Sequence, residues 1–538
     1  MLEVLIQLLF VFIVSLGAGL GFSALLKVSF YNPVSYIFFG LFWVAIIGRC
    51  LNFFVPMNEK VFFLFFTIAV LYSIFNYKKH SSVFVSLQDI FIHNKVVIAI
   101  VLAFVIWFSA LPSISYDEGL YHAGFIAWLN KYSIVRGLAN VEIRYALNSN
   151  WHFLQSIFNG YHIWDSISNS LNSFLVISFT LYFLEIFKHS KNNFFLLLLF
   201  VPIILIYHLI DPSTDLVVIL FTMAFVSELV LNREGKKIDL FWFFAIPFLI
   251  TVKANAILLL PLLLVYVVFA SRKRDSLFKN DLKIVFIYLV LLVATWILSN
   301  LMISGYLFFP YLDLPHWNPI WKLSHLDKGI FEKSVNYSML QRWAGVSIDQ
   351  INGISKIQAF DLWWAHVRLL DKSLFVFSVS SSLAFIYVSR KSASSILISV
   401  LLFVILGLNF ILSFDFRFYG GITLSVLLCL LMSSNWSKVD FKKYNITAVF
   451  LILEFGATFF IYNNLYYKTF QSTPSKLISL VSKSSYKYSE MKKVVINGVE
   501  YTIPIGNEFS WDSIPSMAHE NLNVFPIGKN IQDGFYKK

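Results

Sequence analysis

Charge is what this 538-residue sequence has least of: only 13% of it is Asp, Glu, Lys or Arg, against 58% hydrophobic residues and a mean hydropathy of +0.72. That balance excludes a soluble globular protein of this length and points to an integral membrane protein. Cysteine is nearly absent. The two present, Cys50 and Cys429, lie in or beside apolar segments, so there is neither a disulfide framework nor a paired-cysteine metal site. A Gly-x-x-x-x-Gly-Lys phosphate loop is missing, and so is a clear internal repeat. The first apolar segment follows Met1-Leu2-Glu3, which carries no positive charge, and no small-residue cleavage site precedes Lys27; it reads as a retained helix rather than a signal peptide.

What fills the chain instead is apolar runs, each near the roughly 20 residues that cross about 30 Å of hydrocarbon. They recur at 4–25, 34–55, 61–76, 96–112, 167–187, 194–209, 215–231, 240–252, 255–270, 284–305, 373–389, 395–413, 419–433 and 446–464. The fold class is therefore an all-α polytopic membrane protein of about 14 segments. The pair 240–252 and 255–270 is short for two crossings and reads as a broken or partly re-entrant hairpin around Lys253.

Basic residues cluster in alternate connections: Lys27; Lys78 and Lys79; Lys188 and Lys191; Arg233, Lys236 and Lys237; Arg272, Lys273, Arg274 and Lys279; Arg390 and Lys391; Lys438, Lys442 and Lys443. The positive-inside rule makes these cytoplasmic, puts the N-terminus outside, and leaves loops 113–166 and 306–372 and the tail after 465 extracytoplasmic. This topology accounts for the net charge of +12 without nucleic acid, and it leaves no cytoplasmic polar segment large enough for a nucleotide-sugar or ATP-binding module. Within the first outer loop, 117–132 and 148–161 have helical periodicity and are expected as amphipathic helices on the membrane surface. Near the end, Asn497-Gly498 between Val494-Val495-Ile496 and Val499–Ile503 predicts a β-hairpin in a small outer cap.

Polar clusters then collect at the outer ends of helices: Asp117-Glu118 with His122, Asp211 to Asp215, Lys253-Ala254-Asn255, Ser304 through Trp321-Lys322, and Asp415-Phe416-Arg417. Such groups are costly beside hydrocarbon unless they are partnered or used. Asp117 suits a general base or a metal ligand for transfer to a hydroxyl, but it also suits a helix N-cap. Glu118 fits a first-turn residue, and His122 with the two carboxylates could complete a divalent-ion site, with Mg or Mn as the candidate cofactor. Lys253 needs an anionic partner, either a lipid phosphate or Asp215, and Arg417 faces the same choice between a phosphate and Asp415. The tryptophans, Trp321 among them, could stack sugar rings or form an interfacial belt.

Taken together, these residues resemble the GT-C superfamily of membrane glycosyltransferases. The shared layout is an acidic residue opening the first large outer loop, two helices in that loop and a site facing away from the cytoplasm. More closely, Tyr-Asp-x-Gly-Leu-Tyr-His at 116–122, Asn148 to Trp151, Ser304-Gly305-Tyr306 through Trp321-Lys322, Asp415-Phe416-Arg417 and Trp511-Asp512 to Gly534-Phe535 are similar to a poorly characterised family of bacterial multi-spanning proteins linked with surface-polysaccharide genes. The resemblance implies a bacterial cytoplasmic-membrane enzyme that moves a sugar from a polyprenyl-phosphate-linked donor to a cell-surface glycan or lipid-linked acceptor. Asp117 then matches the catalytic acidic position, with Glu118 as the substitute candidate. The substrate-binding candidates are His122, Arg144, Asp215, Lys253, Trp321, Lys322, Asp415 and Arg417. It also implies a core at 95–467, with extra helices in 1–94 and an outer cap at 468–538. Two rivals remain, an O-antigen-type repeat-unit polymerase working through Arg136, Arg144, Arg342, His366 and Arg368, and a lipid-linked oligosaccharide transporter.

Overall fold

The computed structural model describes residues 1–160, 170–188, 200–201, 206, 208–231, 239–271, 277–347, 350, 354–390, 392–433, 446–470, 491–505, 514–517 and 520–538. The expected segment 194–209 falls largely outside these residues, as does Trp511-Asp512. Among the described residues the chain is mainly helical, and seven helices are long and apolar enough to cross a membrane: Leu2–Leu26, Val34–Asn52, Glu59–His93, Asp281–Ser304, Leu369–Ser389, Ala393–Leu412 and Thr447–Lys468. Shorter apolar helices run over Lys95–Ser109, Ser170–Ile186, Phe241–Val252, Ala254–Val268 and Phe416–Met432. Contacts divide the chain into two units, one of Met1–Val217, Asn280–Leu323 and Asp440–Lys538, the other of Val218–Lys279 and Ser324–Val439.

In the first unit, the helices Leu2–Leu26 and Val34–Asn52 approach so closely that only glycine fits between them. A Cβ on Gly40 would lie 1.8 Å from the Ser15 carbonyl oxygen, and one on Gly19 would lie 1.8 Å from that of Tyr36. Small residues let backbones meet in this way where lipid offers no hydrophobic drive for association. Gly40→Ala is therefore expected to destabilise the solubilised protein by roughly 1–3 kcal/mol, the usual cost of overpacking. Gly407 stands in a helix with nothing within 4 Å of its Cβ position, so Gly407→Ala should be neutral or mildly stabilising. Thermal unfolding of the two variants checks the contrast.

After Lys95–Ser109 the first long connection folds into a π-helical turn at Glu118–His122, a helix at Ala123–Lys131, two 3₁₀ turns at Leu138–Asn140 and Ile143–Leu147, and a helix at Asn150–Phe158. The latter begins at Ser149, whose hydroxyl accepts from the Trp151 amide as an N-cap. Both helices occupy the expected stretches, but neither lies open on a surface. Ala123–Asn130 and the whole of Asn150–Phe158 are buried. Their polar faces meet protein groups instead of water: the Asn130 amide donates to the Ser156 carbonyl at 2.6 Å, and the Asn159 amide to the Asn130 side-chain oxygen at 2.7 Å.

The C-terminal tail supplies part of the cover. Its strands β1 (Met491–Ile496) and β2 (Val499–Pro504) pair antiparallel, with Ile496 opposite Val499. Asn497 and Gly498 make the turn at φ 50° and 85°, the left-handed pair that a two-residue hairpin demands. A second antiparallel ribbon joins β3 (Val524–Pro526) to β4 (Phe535–Lys537). Phe535, fully buried, packs edge-on against Trp128, and its amide donates to the Arg136 carbonyl at 2.9 Å. Lys131 reaches the Ile514 carbonyl at 2.7 Å.

In the second unit, the helix Phe241–Val252 stops at Lys253, whose backbone is extended at φ −151°, and continues as a 3₁₀ segment and a further helix. The chain thus breaks where the sequence placed the break. Helices Leu369–Ser389 and Phe416–Ser433 are tied by a hydrogen bond from the Thr423 hydroxyl to that of Ser378 at 2.8 Å.

Candidate functional site

The π-helical turn at Glu118–His122 admits one extra residue per turn, a device that re-aims side chains and recurs at functional sites. Asp117 stands at the head of this turn, half-buried, and its side chain makes no capping hydrogen bond. The capping explanation of this carboxylate therefore fails on geometry. Glu118 opens the turn itself and is buried, with 2% exposure.

Beneath Asp117 lies a set of buried polar groups drawn from distant parts of the chain. His122 Nδ1 is 3.0 Å from Asp211 Oδ1, both side chains being under 5% exposed. The His152 ring sits 4.6 Å from that of His122, centroid to centroid, and Tyr121 packs edge-on against His122 at 4.1 Å. His152 hydrogen-bonds to the Pro212 backbone, and its buried Nε2 has no hydrogen-bond partner.

Asp211 is aimed by Asn172. The Asn172 amide donates to the carbonyls of His208 and Asp211, each at 2.7 Å, and of Ser213 at 3.1 Å, while its oxygen accepts from the Trp151 indole at 2.6 Å. One carboxamide thus closes the 208–213 turn and ties it to the helix that carries His152. Asp215 begins the next helix; its amide donates to the Ser213 hydroxyl, which in turn donates to Asp215 Oδ2, both at 3.2 Å.

The two imidazoles are shifted in opposite directions. Burial pulls His122 down, but the charge and hydrogen bond of Asp211, with Asp117 and Asp215 nearby, carry it above its ordinary 6.5. Burial and then the charge of His122 push His152 well below that value. The consequence for stability follows by linkage. The His122 contribution is fully present below pH 6.5 and is lost as pH rises through its elevated value, whereas His152 weakens the fold as pH falls below 6.5, because only the unfolded chain takes that proton. Wild-type stability should therefore pass through a maximum near pH 6.5, since His122 adds stability as pH falls toward that value and His152 removes it below. His152→Gln should then gain stability on acidification and Asp211→Asn should lose it; thermal midpoints between pH 5 and 8 read the difference.

The other expected site residues are placed elsewhere. Arg144 pairs with Glu142 at 2.8 Å. Trp321 donates through its indole to the Leu301 carbonyl at 3.0 Å, and the Arg136 guanidinium lies 5.6 Å from its ring. Lys322 is taken by Asp313 at 2.8 Å and by the Trp317 carbonyl at 2.9 Å, so it serves to shape its own loop. In the second unit, Arg417 takes Asp415 as its partner at 2.9 Å, and Lys253 Nζ lies 4.3 Å from the Phe418 ring centroid. Asp117, Glu118 and His122 do not converge as metal ligands. Among the described residues no group of three or more His, Cys, Asp or Glu is arranged to hold an ion, and His122 turns its Nδ1 to Asp211 instead.

Sequence reasoning grouped Asp211 with its neighbours but missed its pairing with His122, and it passed over His152 and Asn172 altogether. His152 carried one available signal, an imidazole on a stretch otherwise built from large apolar residues.

The fold and the site together define a largely helical chain, with helices long and apolar enough to cross a membrane and a buried His–Asp pair under a half-exposed carboxylate. Residues 1–424 match the family described as Domain of unknown function (DUF8201), and the chain belongs to that family. No curated protein and no solved structure matches it.

Proposed function

We propose that the protein is an integral membrane glycosyltransferase with a GT-C-like arrangement of about fourteen crossings, which transfers a sugar from a polyprenyl-phosphate-linked donor to a glycan or lipid-linked acceptor on the extracytoplasmic face of a bacterial cytoplasmic membrane. The observation that carries this reading is Asp117: a half-exposed carboxylate with no capping role, at the head of a π-helical turn, backed by a buried His–Asp pair. A glycosyl phosphate already has a good leaving group, so the chemistry left to the protein is to orient the reactants and activate a hydroxyl. In this mechanism Asp117 takes the acceptor proton as the acceptor oxygen bonds to the anomeric carbon. The bond from that carbon to the phosphate oxygen breaks, and its electron pair leaves with the polyprenyl phosphate. Asp117 is one of the charges that raise the buried His122, which ties the candidate base electrostatically to the His–Asp pair.

The test is incubation of the purified protein with defined polyprenyl-phosphate sugars and lipid-linked or glycan acceptors, with and without a chelator. Sugar transfer that disappears in Asp117→Asn is the expected result. Absence of transfer across the donor panel, from protein that is folded and monodisperse, would remove the proposal.

A further inference from the structure

The helix Val34–Asn52 carries one charged side chain, Arg49, and it is 2% exposed. A buried guanidinium ordinarily takes a carboxylate. Among the described residues this one takes only neutral acceptors. Its Nε donates to the Asn150 side-chain oxygen, Nη1 to Asn148 Oδ1 at 2.9 Å and to the Ser299 hydroxyl at 2.8 Å, and Nη2 to the Asn148 carbonyl at 2.9 Å. The guanidinium also stands 5.0 Å from the Phe153 ring centroid. Its place in the last turn of its helix, where carbonyl dipoles point outward, eases the charge in part.

All four bonds bear on one place. Asn148 has a left-handed backbone, φ 42° and ψ 52°, an uncommon conformation for a residue with a Cβ, which persists only where its surroundings enforce it. Its own amide is held by Ser299 and Asn300 at 3.0 and 2.7 Å. Immediately after it begins the helix Asn150–Phe158, which delivers Trp151 to Asn172 and His152 to His122. A salt bridge would hold Arg49 to a single carboxylate; the fork of a guanidinium over amide and hydroxyl acceptors fixes a whole turn.

We propose that Arg49 is a positioning residue: it clamps the Asn148–Asn150 turn, so that the second helix of the chain sets where the His152-bearing helix meets the His122–Asp211 pair. Its kinetic consequence rests on the glycosyltransferase reading; the clamp itself does not.

The experiment uses the full-length protein with Arg49→Met, which removes the fork, and Arg49→Lys, which keeps the charge and a milder packing change. Two measurements are made on each. Limited trypsin digestion reads the clamp without the reaction: Arg144, four residues before Asn148 in a 3₁₀ turn, should resist cleavage in the wild type and be cut in both variants, faster in Arg49→Met. Sugar transfer, expressed per folded molecule, should show kcat lowered by about 100-fold in Arg49→Met with KM changed less than about threefold, the pattern of misplaced rather than missing groups. Arg49→Lys should fall between. Arg144 as resistant in Arg49→Met as in the wild type would overturn the clamp, and so would a loss of rate in Arg49→Met that only tracks the amount of folded protein. If the wild type transfers no sugar while the digestion pattern is as expected, the function proposed above fails and the clamp stands.

Discussion

Asp117→Asn should lower sugar transfer by about 10²–10⁴-fold, the range that a positioned general base supplies. The substitution keeps the shape of the side chain and removes only its ability to accept a proton. The side chain makes no capping bond, but the substitution removes a negative charge that raises His122, so a modest loss of stability should accompany the much larger loss of rate. Expression and thermal midpoint are thus the controls that separate lost chemistry from lost fold. Glu118→Gln provides the comparison between the two neighbouring carboxylates. Glu118 is buried within the turn, so its substitution should disturb stability more and rate less than Asp117→Asn does. Were Glu118→Gln the variant that abolishes transfer, with Asp117→Asn retaining more than a tenth of the rate, the base would have to be reassigned to Glu118.

The parts of this fold that were legible in the sequence are those determined by near neighbours. Asn497-Gly498 specifies its turn because the left-handed conformations of a two-residue hairpin suit those residue types, and the strands paired in the expected register. Lys253 marks a break because a charge interrupts apolar residues on both sides, and the helix does end there. Burial of the two helices in the first long connection was not legible. Periodicity reveals that a helix has a polar face but not whether that face meets water or other protein groups, and here the Asn159 amide donates to the Asn130 side-chain oxygen while the Asn130 amide donates to the Ser156 carbonyl. The His122–Asp211 contact joins residues 89 positions apart and has no local signature. Arg49 did leave a signal, since a lone arginine in an apolar run is itself a reason to search for partners. Asn172 left almost none: an uncharged amide in an apolar segment looks like a tolerated polar residue until its five contacts are visible.

Asn172→Ala should be the most destabilising single change near the site. The carboxamide donates to three carbonyls and accepts from the Trp151 indole, all of them buried. Each buried polar group left without a partner costs about 1–3 kcal/mol, and water entering the vacated space can serve only some of them, so a loss of roughly 3–5 kcal/mol is expected. Asn172→Asp separates the two halves of the role. Its carboxylate still accepts from Trp151 but turns negative charge toward three carbonyl oxygens that need donors, so near neutral pH it should be less stable than the alanine variant. Protonation restores one donor. The aspartate carboxyl is raised in the folded state by burial and by the facing carbonyls, so the folded chain takes up a proton that the unfolded chain lacks at mid pH. Asn172→Asp should therefore regain stability as pH falls through that raised value, whereas Asn172→Ala should not. Thermal unfolding of both variants across pH 5 to 8 makes the comparison. An Asn172→Ala midpoint indistinguishable from wild type would mean that the 208–213 turn holds Asp211 toward His122 without this amide.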